Sequence, residues 1–122
     1  MSVDAENSGV LEGRAGREAL CTLVLHRLRC DAADDFSSDE PYITVNEEEV
    51  WRAVGVDPGD IRAVGVRRRF GDVARLMLYQ GEFAADDLIG SRIVDSGEAG
   101  LGVRSACFSS ATAQYVLEFE VE

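Results

Sequence analysis

The 122-residue chain carries 12 basic and 23 acidic side chains, a net charge of −11, and every base is Arg. Its 46 % apolar content supports a packed core and excludes global disorder, while the length predicts one domain. The acidic balance argues against a general nucleic-acid binder, which needs surplus cations, and no apolar run approaches the ~18 residues of a membrane-spanning helix.

Residues 1–18 are rich in Gly, Ser and Glu, carry no apolar signal-peptide core, and read as a flexible leader before a domain over 19–122. Without a signal, and with Cys21, Cys30 and Cys107 at no metal-ligand spacing, a reduced, cytoplasmic protein is expected. Export without a cleaved signal stays open. The Lys-free, Arg- and Ala-rich composition points to a coding bias of the kind found in high-GC bacteria or halophiles.

From Leu20 to Cys30 the chain alternates with period two, Leu23 and Leu25 on one side and Leu28 and Cys30 after a slip that marks a bulge. Strands follow over 42–46, 49–54, 61–70, 73–79, 89–94, 103–108 and 115–121. Turn chemistry at Asp57-Pro58-Gly59-Asp60, Phe70-Gly71-Asp72, Asp95-Ser96-Gly97-Glu98 and Ser109-Ser110-Ala111-Thr112 separates several of them. In the last strand Tyr115, Leu117, Phe119 and Val121 point one way and Val116, Glu118 and Glu120 the other. Eight strands with no amphipathic helix predict an all-β, antiparallel, eight-stranded β-sandwich. Trp51, Phe70, Phe108, Tyr115 and Phe119 are the expected large core residues.

The acids cluster. Asp31, Asp34, Asp35, Asp39 and Glu40 lie between Cys30 and Tyr42, and Glu82, Asp86 and Asp87 between Tyr79 and Gly90, with no base in either segment. Each cluster follows a strand. Two readings are open at this point: solvated loops that never meet, or carboxylates whose repulsion a divalent cation relieves. Calcium takes oxygen ligands from such flexible loops, though no helix-loop-helix calcium motif occurs.

Ser38-Asp39-Glu40-Pro41-Tyr42-Ile43-Thr44-Val45 resembles the S-D-P-Y-V-x-V signature of C2 domains, with Glu40 inserted. Ala74 to Tyr79 followed by Asp86-Asp87-Leu88-Ile89-Gly90 resembles their second hallmark, an apolar strand, an Asp-rich loop and D-D-F-I-G. The resemblance covers residues 20–121 and implies a C2-like sandwich with the two acidic loops at one end. It implies one Ca²⁺ with ligands drawn from Asp34, Asp35, Asp39, Glu82, Asp86 and Asp87. It also places Gln80 and Glu82 where the family carries a D-x-D pair, which argues against a two- or three-ion site. Phe36 and Phe83 are candidate loop tips for a membrane or partner. Arg67 and Arg69, on one face of the Arg67-Arg68-Arg69 run, resemble a polybasic strand; a charged edge that blocks strand pairing is the competing reading.

No catalytic constellation stands out: His26 is the single His, and neither a nucleophile elbow nor a phosphate-binding Gly loop is present. The expectation is a non-enzymatic, acidic, C2-like binding module, Ca²⁺-responsive, that engages a protein or an anionic membrane through its acidic loop end. The alternative is a calcium-independent interaction protein, either an accessory subunit or an acidic inhibitor of immunity type.

Overall fold

A computed structural model describes residues 20–33, 39–81 and 87–122. Eight strands form among them: β1 (Cys21–Ala32), β2 (Pro41–Val45), β3 (Glu48–Arg52), β4 (Ile61–Phe70), β5 (Val73–Gln80), β6 (Asp87–Asp95), β7 (Arg104–Ser109) and β8 (Gln114–Val121). They build two antiparallel four-stranded sheets, ordered β4-β1-β8-β7 and β3-β2-β5-β6. Between β6 and β7 lies a single 3₁₀ turn, Ser96–Glu98. The expected all-β antiparallel sandwich is therefore the observed fold.

Period-two patterning places the core between the sheets. Leu23, Leu25, Leu28 and Cys30 from β1 and Tyr115, Leu117, Phe119 and Val121 from β8 meet Ile43, Leu76, Leu78 and Val94 from the other sheet. Phe70 and Phe108 are buried as expected; Trp51 is not, because it sits on edge strand β3 and packs half-buried at the core's rim. The slip in β1 is a bulge. Glu118 pairs with Arg27 and Phe119 with Leu25, which leaves His26 as the extra residue. Its Nε2 lies 2.8 Å from Glu120 Oε2 on the outer face, a surface pairing.

The β2–β3 connection was not legible as a hairpin turn. Asn46 and Glu47 both have positive φ (49° and 71°), as a two-residue primed turn requires. Asn46 favours that conformation and its Oδ1 accepts the Arg75 N–H at 2.8 Å; Glu47 is an uncommon choice there. The three cysteines are free; Cys30 is buried and Cys107 is exposed on the outer face of β7.

At the end opposite the acidic loops, Glu98 holds the 3₁₀ turn to β6 and β7. Its Oε2 accepts the Asp95 N–H, closing a capping box, and its Oε1 lies 2.9 Å from Arg92 and from Arg104. Burial alone would raise its pKa, but the Asp95 N–H and the two guanidinium groups hold it below the usual carboxylate range. A depressed folded-state pKa gives stability that is present above the unfolded value and lost as pH falls through the folded one. Glu98→Gln is thus expected to lower stability by about 1–2 kcal/mol at pH 7. Urea titrations should show the gap to the parent protein closing below about pH 4.

Candidate functional site

Among the described residues, the loop end is built by the end of β1, Asp39 before β2, the end of β5, the start of β6 and the start of β8. Asp39 forms an isolated backbone bridge with Val56, its N–H to Val56 O at 2.9 Å and Val56 N–H to its O at 3.0 Å. That bridge turns its side chain inward, where it is fully buried. Asp39 Oδ2 accepts the Tyr115 hydroxyl at 2.6 Å, and Oδ1 accepts the Gln80 amide Nε2 at 2.9 Å.

Gln80 closes the network. Its Oε1 accepts the Glu40 N–H at 2.8 Å, and the Gly81 N–H returns to Glu40 O at 3.0 Å. This fixes which end of the amide is which, because a flipped group would set NH₂ against N–H and oxygen against carboxylate. Glu40, the residue inserted into the S-D-P-Y pattern, supplies both backbone partners of the β5 end. A buried carboxylate with two side-chain donors is the condition under which such a group is tolerated.

Cys30 and Tyr115 border this cluster. Burial pushes the Tyr115 hydroxyl pKa strongly up, reinforced by its bonds to Asp39 and Cys30. The Cys30 thiol is raised as well, chiefly by burial. Both stay protonated at neutral pH, so Tyr115 acts as a hydrogen-bond donor and Cys30 is not a reactive thiolate.

Of the six acids expected to bind metal, Asp39 and Asp87 are described; Asp34, Asp35, Glu82 and Asp86 lie outside the described residues, as do Phe36 and Phe83. Asp87 begins β6 opposite Gln80 and is exposed. It borders a groove of about 270 Å³, also lined by Gln80, Leu88, Ile89 and the turn over 110–113. Among the described residues, no group of three or more His, Cys, Asp or Glu converges as a metal site. At Asp39 each carboxylate oxygen already accepts one hydrogen bond, Oδ1 from the Gln80 amide and Oδ2 from the Tyr115 hydroxyl, so neutral donors balance its charge locally.

Arg67 and Arg69 are exposed on β4, and Arg68 is half-buried on its opposite face. Arg67 pairs with Glu122. The roles of Gln80 and Tyr115 as partners of Asp39 were not foreseen. The departure at Gln80 was visible in the signature, but the Tyr115 hydroxyl carried no signal beyond its place in an apolar strand.

The sandwich is C2-like. A solved C2 domain superposes with a TM-score of 0.54 at 14 % identity, over 84 % of this chain and 97 % of that one. A structure of CC2D1B matches with a TM-score of 0.58 at 15 % identity, over 86 % of this chain and 55 % of that one. Human GIVD cytosolic phospholipase A2 matches at 0.50 and 19 % identity, over 17 % of the enzyme. No family model and no curated protein matches the sequence. Among the described residues no helix is long and apolar enough to cross a membrane.

Proposed function

We propose that this chain is a non-catalytic C2-like module, preceded by a leader over 1–18, that binds a protein partner or an anionic membrane surface in the cytoplasm without Ca²⁺. The observation that carries this reading is the pair of donors on the Asp39 carboxylate, the Gln80 amide at 2.9 Å and the Tyr115 hydroxyl at 2.6 Å. In a calcium-bound loop end the cation neutralises converging acids; here neutral donors do that work at Asp39. Asp87 and the acids Asp34, Asp35, Glu82 and Asp86 then serve as surface charge that steers a partner and rejects others.

Calorimetric titration with Ca²⁺ is the test. The expected result is no binding heat and no rise in melting temperature at millimolar Ca²⁺. Heat that disappears in Asp39→Asn/Asp87→Asn overturns the reading and restores a one-ion calcium module.

A further inference from the structure

Ten arginines lie among the described residues, and eight form ion pairs with carboxylates: Arg27, Arg29, Arg52, Arg62, Arg67, Arg75, Arg92 and Arg104. Arg68 and Arg69, adjacent on β4, have no carboxylate partner among the described residues. In a chain of net charge −11 this is a local excess of positive charge. Arg68 also keeps its Nε buried without an acceptor.

Among the described residues, strand β4 is the outermost of its sheet. The direction of its backbone groups follows from β1. Thr22 exchanges both backbone hydrogen bonds with Glu122, each at 2.8 Å, so its neighbours Cys21 and Leu23 turn theirs toward Phe70 and Arg68 of β4. Alternation then directs the N–H and C=O of Arg67 and Arg69 to the outer edge, which no described strand covers. Upstream, Gly65 at φ +63° and the register change opposite Leu25–Arg27 make a bulge, which divides β4 and leaves Val66–Phe70 as one regularly paired stretch.

We infer that this stretch takes up an extended acidic segment of a protein partner as an added strand, an inference that rests on the binding-module reading above. Two successive acids in such a segment satisfy the observed geometry. One falls on the outer face beside Arg69, the other on the inner face beside Arg68, while main-chain bonds run to Arg67 and Arg69. Screening at physiological salt confines interactions between exposed charges to about 8 Å, so the local arginines outweigh the chain's distant acids.

The probe is a fluorescent, end-blocked peptide, Thr-Val-Thr-Glu-Glu-Glu-Thr-Val-Thr, read by anisotropy at physiological salt. Binding is expected, at least tenfold weaker with Glu replaced by Gln, and at least tenfold weaker when alternate peptide amides are N-methylated. The doubly substituted Arg68→Gln/Arg69→Gln protein should lose it similarly. Arg69→Gln alone, on an exposed side chain, should weaken binding several-fold with the melting temperature unchanged. Equal binding of the N-methylated peptide overturns strand addition, leaving charge alone. Arginine-dependent binding to phosphatidylserine vesicles without peptide binding overturns it in favour of a membrane. Each titration is run in EDTA and in Ca²⁺. Peptide binding seen only with Ca²⁺ sinks the calcium-independent reading and spares the edge, whereas absence in both sinks the edge alone.

Discussion

Gln80→Asp is expected to destabilise the protein by about 3–5 kcal/mol at pH 7, because it sets a second carboxylate against a buried one. Asp39 is fully buried, and the amide it faces at 2.9 Å donates to it. The substitution removes that donor, and the new carboxylate still accepts at the Glu40 N–H. Two like charges this close cannot both ionise, so one carboxyl of the variant has its pKa raised. A raised folded-state pKa means the penalty is full above that value and relieved as pH falls through it, so the gap to the parent protein narrows on acidification from neutrality. Calcium supplies the second relief. The melting temperature of Gln80→Asp is expected to rise with millimolar Ca²⁺ while that of the parent protein does not move. Thermal scans of both proteins with EDTA or Ca²⁺ at two pH values decide it. A variant as stable as the parent would refute the role assigned to the amide.

The sandwich was legible because half-buried antiparallel strands write their two faces directly into the chain. Tyr115, Leu117, Phe119 and Val121 alternate with Val116, Glu118 and Glu120, and the first set is buried. Even the slip at His26 could be read, since a bulge shifts the phase of the pattern by one residue. What failed was chemistry that alternation does not encode. Glu47 at φ 71° closes a hairpin without a turn-forming residue type, and Trp51 is large and apolar yet lies on an edge. Both depend on which strands end up as neighbours.

The candidate site was legible as positions and not as bonds. The C2-like signature singled out Asp39 and the departure at Gln80, but the two stand 41 residues apart in the chain. Whether a neutral amide at a ligand position is a lost ligand or a replacement donor depends on what faces it. Here that is a buried carboxylate on one side and the Glu40 N–H on the other. Tyr115 shows the same limit from the opposite direction. Its ring follows the core pattern of β8, while its hydroxyl reaches Asp39, 76 residues away.

Gly90 explains a feature of the second signature that charge arguments leave aside. It lies in β6 where the two sheets approach, and a Cβ built there would stand 3.0 Å from Phe108 Cβ and 3.1 Å from Phe108 Cα. Phe108 is itself buried in β7, so both its ring and its backbone are held by neighbours. Gly90→Ala is therefore expected to cost about 1–3 kcal/mol by overpacking, and Gly90→Val more, since its branched side chain meets backbone that cannot rotate away. Gly71, where an added Cβ meets nothing within 4 Å, is the control: Gly71→Ala should stay within about 0.5 kcal/mol of the parent. Chemical denaturation of the three variants checks the ranking. The Gly90 variants also bear on the loop end, because Gly90 follows Asp87 and Leu88 at the rim of the groove beside Gln80. Pushing β6 from β7 would displace that rim. Loss of partner binding in Gly90→Ala with the melting temperature only modestly lowered is the outcome expected if the loop end is the working surface. Retained binding would assign it to the β4 edge.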